Sequence, residues 1–144
     1  MLTAHIRRYG GPEVLEVGQL PEPLPGSRDL LVDVAAASVN PIDFKIRDGK
    51  AKAMLPFRFP LILGNDLSGT VRAVGAAVTR FKPGDRIVAR LGKSRIGAFA
   101  ERALVDEADA AFAPASIDLV DAAALPLAGL TAWQALFEMG QLAP

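Results

Sequence analysis

Few side chains here belong to the types that perform covalent or metal chemistry. There is no cysteine and only one histidine, His5, so disulfides and thiolate nucleophiles are excluded. A zinc site draws three or four ligands from Cys, His and carboxylates, and His5 by itself reads as a strand surface residue. Gly64-Asn65-Asp66-Leu67-Ser68-Gly69 has the glycine spacing of a phosphate loop, but Thr70-Val71 follows where Lys and Ser or Thr would reach phosphate and magnesium. No G-x-G-x-x-G, H-E-x-x-H or G-x-S-x-G occurs, so the dinucleotide fingerprint is missing and metalloprotease and hydrolase readings have no support.

The remaining polar candidates have structural readings of their own. Asn40-Pro41 is a turn opener that can cap Ile42–Arg47, and Asp43 reads as structural. Asn65, after a glycine, suits an unusual backbone angle. Thr131, inside a helical stretch, suits a bond back to its own chain. Phe57 and Phe59 read as core or loop anchors. Arg86, Arg90, Lys93 and Arg95 are the nearest thing to a basic cluster; spread over a strand and a loop, they read as a solvated rim rather than a phosphate site.

These residues sit on a punctuated, mainly β chain. Its 144 residues make one domain's worth of core, 51% hydrophobic and 22% charged, with sixteen basic and sixteen acidic residues cancelling. That balance leaves no footprint for a nucleic-acid partner. No signal-like N-terminus and no apolar run near the ~20 residues of a membrane span is present, so the expectation is a cytoplasmic protein with no membrane partner. Thirteen glycines and eleven prolines are spread evenly, as in a barrel or sandwich of short strands. Strands are expected at Leu2–Arg8, Val14–Gln19, Leu30–Ala36, Ser68–Val74, Arg86–Leu91, Ala98–Val105 and Ala110–Ala113. Lys50–Leu63 reads as a long loop, functional or mobile. A short helix capped by Ser116 or Asp118 runs to Ala124, and a second covers Leu127–Met139 with Leu130, Trp133, Leu136 and Phe137 broadly on one side.

Four segments, in this order, carry a resemblance: Tyr9-Gly10-Gly11-Pro12-Glu13-Val14-Leu15, Ala37-Ser38-Val39-Asn40-Pro41-Ile42-Asp43, Pro60-Leu61-Ile62-Leu63-Gly64-Asn65-Asp66-Leu67-Ser68-Gly69 with Val74-Gly75, and Ala123-Ala124-Leu125-Pro126-Leu127-Ala128-Gly129-Leu130-Thr131-Ala132. Together they resemble the N-terminal GroES-like domain of the medium-chain dehydrogenase/reductase superfamily, in its zinc-independent quinone oxidoreductase-like branch. The resemblance implies a partly open β-barrel with short helices over residues 1–126. Residues 127–144 begin the helix that connects to a Rossmann domain absent from this chain.

In the zinc alcohol dehydrogenases of that superfamily, the positions matching Asn40 and Asn65 are cysteine and histidine ligands. The position matching Ile42 is a Ser or Thr that starts a proton relay. Amides are poor zinc ligands and isoleucine has no proton to pass on, so neither catalytic zinc nor alcohol oxidation by that route is expected. The resemblance implies instead NADPH-dependent hydride transfer to a quinone or enone. Asn40 is then the donor to the developing oxyanion, and Asp43 orients Asn65 or holds water. Asn40, Pro41 and Thr131 face the cofactor, while Ile42, Asn65, Phe57 and Phe59 line the substrate pocket. With the phosphate-binding half missing, the chain alone is expected to bind cofactor weakly or not at all. Self-association is expected through the exposed C-terminal helix or a sheet edge. The rival readings are an enoyl reductase of the same superfamily and a non-catalytic binding or scaffold barrel.

Overall fold

The computed structural model describes residues 1–142. Two antiparallel sheets curl around a shared interior. The smaller has the order β2-β1-β4, built from β1 (Leu2–Ile6), β2 (Leu15–Gln19) and β4 (Leu61–Ile62). The larger runs β7-β3-β5-β6-β8, from β3 (Asp29–Ala36), β5 (Asp66–Val74), β6 (Arg86–Arg90), β7 (Arg102–Asp106) and β8 (Ala110–Phe112). The extended segment 98–101 stitches the sheets together. Ala4 N–H donates to the Phe99 carbonyl at 2.8 Å, Phe99 N–H to the Leu63 carbonyl at 2.8 Å, and Val34 N–H to the Glu101 carbonyl at 3.0 Å. The result is the expected mainly β, partly open barrel.

The sequence strands hold with shifted ends, and Ala98–Val105 divides into the stitch and β7. β4 was not expected: two residues directly after Pro60, inside a stretch without periodicity, leave no alternation to see. His5 is not a surface residue but buried, at 2% exposure. Thr3 Oγ1 donates to the Gly18 carbonyl at 3.0 Å, so its lone pairs are left to accept from His5 Nδ1 at 3.0 Å.

Three helices complete the fold: α1 (Pro41–Arg47), α2 (Leu119–Ala122) and α3 (Pro126–Trp133), the last running on into a π-helical turn, Gln134–Met139. Asp118, not Ser116, caps α2, its Oδ1 accepting from Asp121 N–H at 2.9 Å. α3 starts one residue earlier than expected because Pro126, with its fixed φ and no N–H to satisfy, suits the first helical position. Leu130, Trp133, Leu136 and Phe137 are solvent-exposed on this helix and its extension, and Trp133 packs on Phe137 at 4.5 Å between ring centroids. No helix among the described residues is long and apolar enough to cross a membrane.

The core forms two clusters. One lies inside the large sheet around Leu30, Val32, Leu67, Val71, Ile87 and Val105. The other, around Ile6, Val14, Ile46, Leu61 and Leu63, sits beneath α1 and supports the site described next. Leu67 lies on the central strand and is fully buried. Leu67→Ala removes its side chain from a close-packed interior and is expected to cost about 3 kcal/mol, read as a lower urea midpoint at unchanged m-value.

Candidate active site

α1 begins where β3 leaves the large sheet. Asn40 is extended (φ −120°, ψ 157°), Pro41 takes the first helical position, and Asp43 lies at the third. Asp43 Oδ2 accepts from the Asn40 backbone N–H at 2.7 Å, while Asp43 N–H donates to the Asn40 carbonyl at 2.9 Å. The helix stops at Gly49, whose φ of +76° closes its C-terminus, with Gly49 N–H donating to the Ile46 carbonyl at 2.9 Å.

The second strand of the site approaches through Gly64. The positive φ here belongs to Gly64 (+100°) and not, as expected, to Asn65. A Cβ on Gly64 would lie 2.8 Å from the Phe99 backbone nitrogen, so the glycine lets the stitch segment pass close to it. Asn65 follows, buried, with Nδ2 donating to Asp43 Oδ1 at 2.7 Å. The expected Asp43–Asn65 contact is therefore present.

Beside that pair lies a carboxylate the sequence reading passed over. Asp66 is fully buried, and its Oδ2 accepts from Ser38 Oγ at 2.9 Å, Asn40 Nδ2 at 3.2 Å and the Leu127 backbone N–H at 3.0 Å. The last bond satisfies one of the orphan amides at the start of α3, whose own N-cap residue, Leu125, has no side chain to do so. Asp66 thus gathers the β3–α1 turn and α3 onto β5.

This arrangement fixes the Asn40 side chain. Its Nδ2 donates to Asp66 and also to Ser38 Oγ at 3.0 Å. The two acceptors are themselves only 2.9 Å apart, so they share one of the two amide protons and the second is engaged by neither. Thr131 is likewise bonded back, Oγ1 donating to the Leu127 carbonyl at 2.7 Å; its oxygen lone pairs remain available as acceptors.

Asn40, Pro41, Ile42 and Thr131 nevertheless come together, lining a cleft of about 620 Å³ between α1 and α3. Lys45 and Arg90 also line it, and Ala128, Ala132 and Ala135 give it a floor without protruding side chains. An adjoining hollow of about 410 Å³ shares Ile42 and Arg90 and adds Asn65, Met54, Leu55 and Lys93. Phe57 and Phe59 are not among the lining residues of either. Phe57 packs on the core beneath α1, and Phe59 sits edge-on to Tyr9 at 4.9 Å between centroids. The aromatic wall is replaced by Met54 and Leu55, from the same loop. Lys45, missed in the sequence, falls four residues after Pro41 and so on the same helix face, a spacing that would have found it.

Comparison with known proteins fits this geometry. Residues 26–115 match the family described as "Alcohol dehydrogenase GroES-like domain". The chain belongs to that family. The GroES-like domain is 41% identical over 133 residues to the quinone-oxidoreductase homolog, chloroplastic, of Spinacia oleracea, which covers 92% of this chain and 40% of the relative. It superposes on the quinone oxidoreductase of Pseudomonas syringae pv. Tomato DC3000 with a TM-score of 0.90 at 35% identity, over 99% of this chain and 42% of that one. The Escherichia coli quinone oxidoreductase complexed with NADPH gives a TM-score of 0.85 at 32% identity, over 94% and 40%. The chain thus spans about 40% of the length of these relatives.

The Asp43 carboxyl is held above its ordinary value of 3.8 by burial, with the nearby Asp66 charge adding to the rise; the bonds from Asn40, Asn65 and Gly64 oppose both. Just above pH 3.8 this one site therefore binds more protons folded than unfolded, while Asp29, Asp48 and Glu107, held below their ordinary values, do the opposite. The Asp43 contribution to stability is expected to fall as pH rises through the interval between its unfolded and its raised folded value. Asp43→Asn, which has no carboxyl to titrate, is expected to flatten that slope, measured as the urea midpoint across acidic pH.

Proposed function

We propose that this GroES-like domain is the substrate side of an NAD(P)H-dependent reductase of quinones or conjugated enones. The observation that carries the reading is the cleft itself. Asn40, Pro41 and Thr131 converge on a flat alanine floor, with the Lys45 ammonium on the same lining.

The cleft suits the nicotinamide end of such a cofactor. Ala128, Ala132 and Ala135 leave room for a planar ring, and the free lone pairs of Thr131 Oγ1 suit a carboxamide N–H. No glycine-rich phosphate loop occurs in the 144 residues, so the residues present fit that end only. A bound reduced nicotinamide supplies a hydride to an electron-poor substrate carbon. Negative charge then builds on the conjugated oxygen, and Lys45 is a donor to it beside Asn40. Its exposed ammonium donates a hydrogen bond or a proton to the oxygen and recovers the proton from water. Ile42, Met54 and Leu55 give the substrate body an apolar lining. Asp66 acts by positioning, holding the turn before α1 against α3.

The zinc-free reading rests on donor chemistry. Asn40, Ile42 and Asn65 supply no thiolate, imidazole or carboxylate at the three positions compared above. Among the described residues no three His, Cys, Asp or Glu gather as a metal set.

In the protein as its gene encodes it, NAD(P)H-dependent reduction of a quinone or enone is expected. Lys45→Met should lower kcat by about 100-fold, the scale of a lost charge donor, with Lys45→Arg recovering part of it. Equal kcat for wild type and Lys45→Met would remove Lys45 from the chemistry. The absence of any quinone or enone reduction would remove the reductase reading.

A further inference from the structure

Charge along the cleft is one-sided. Lys45 and Arg90 line its larger part, Arg90 and Lys93 the smaller, and no carboxylate lines either. None of these three cations is ion-paired among the described residues, whereas Arg28, Arg47, Arg72, Arg95 and Arg102 each meet an acid. The buried acids beneath do not take their place. Both oxygens of Asp43 and one oxygen of Asp66 are used by Asn40, Asn65, Ser38 and Leu127. Arg90 lies directly across from Asp66 in the sheet, yet its guanidinium bonds to the Leu91 carbonyl at 2.7 Å.

The loop bearing Lys93 is held down by its own anchor. Arg95 grips Asp29 at the start of β3 with two bonds, 3.0 and 2.9 Å, and its backbone N–H closes the turn on the Gly92 carbonyl at 2.9 Å. The Arg95 guanidinium also holds the Asp29 carboxyl below its ordinary value. Besides Arg90 and Lys93, the lining is apolar at Ile42, Met54 and Leu55, with Asn65 the one uncharged polar residue. A cleft with charge of one sign and low-dielectric walls concentrates its field on whatever enters.

We propose that the substrate is an enone or quinone whose apolar body ends in an anion, carboxylate in the first instance, bound by Arg90 and Lys93. This rests on the reductase reading and narrows it. Lys45 lines only the larger part of the cleft and Lys93 only the smaller, so the reacting carbonyl and the anionic end have separate cations. In the reduction the conjugated double bond gains a hydride at one carbon and a proton after charge delocalises to oxygen. NAD(P)H is oxidised, and the carboxylate leaves unchanged.

A cofactor phosphate is a second source of the same negative charge, and the test separates the two. With the protein as its gene encodes it and saturating NADPH, an enone bearing a terminal carboxylate is compared with its methyl ester. The acid is expected to show a kcat/KM about 10-fold higher, carried by KM and eroded by salt, the signature of a partly solvated charge contact. Lys93→Gln and Arg90→Gln should each bring the acid-to-ester ratio toward one, with KM for NADPH unmoved. Equal efficiency for acid and ester, or preference for the ester, overturns the proposal. A raised KM for NADPH with the acid-to-ester ratio intact also overturns it, assigning the cations to cofactor phosphate. Calorimetric titration of acid and ester without cofactor keeps this separate from the reductase reading. Tighter binding of the acid, lost in Lys93→Gln, supports the anion site even if neither compound is reduced; equal binding overturns it.

Discussion

Two carboxylates buried within one hydrogen-bonded cluster organise this end of the molecule. Burying an ionised group is costly unless its lone pairs are satisfied, and the local sequence provides partners from several directions. Asp43 is met by the Asn40 backbone and the Asn65 amide, and one oxygen of Asp66 by Ser38, Asn40 and the Leu127 amide of α3. Turn, strand and helix meet here because each supplies a donor that the acids require. The cleft is a by-product of that requirement. Its two walls, α1 and α3, are 85 residues apart in the chain by their proline starts, Pro41 and Pro126, and Asp66 is the group that ties both to β5.

The fold was largely legible, because strands and turns announce themselves through local chemistry. The strands expected at Ser68–Val74 and Arg86–Leu91 appear as β5 and β6 with shifted ends, and the Asn40-Pro41 pair opened α1. The errors share a cause: local patterns do not show which polar groups will find each other. On β1 the inward residues Thr3 and His5 are polar and bond to each other, so the strand's buried face does not read as apolar. Asn40 lines the cleft, but its bond to Asp66, a partner 26 residues away, leaves no local pattern to read. Phe57 and Phe59 gave a substrate wall by residue type alone, while the packing of Tyr9 and the core cluster beneath α1 claims both rings.

A formal charge of zero also conceals the site's character. Among the described cations without an ion pair, Lys45, Arg90 and Lys93 lie where α1, β6 and the following loop face the cleft, and no carboxylate lines it. The solvated-rim reading holds for Arg86, which donates to the Ile117 carbonyl, while Arg95 is an anchor for the loop. Arg90 and Lys93 belong to the cleft. One patch of similar residues thus divides into separate duties by which acid, if any, lies within reach.

The stitch at 98–101 has a further meaning for how the chain reaches this shape. Leu2 and Ala4 on β1 pair with Glu101 and Phe99, synthesised nearly a hundred residues later. The hairpin of β1 and β2 can form early, but it is a two-stranded ribbon, and isolated ribbons are marginal in water. Its remaining edge meets β4 at His5 and Ile6, but at Leu2–Ala4 it stays open until residues near 100 emerge from the ribosome, and closing so long a loop is entropically costly and slow. The barrel therefore assembles around a late seam. During that wait the nascent chain exposes the apolar residues of β3, a window in which protection from aggregation depends on the cell rather than on the fold.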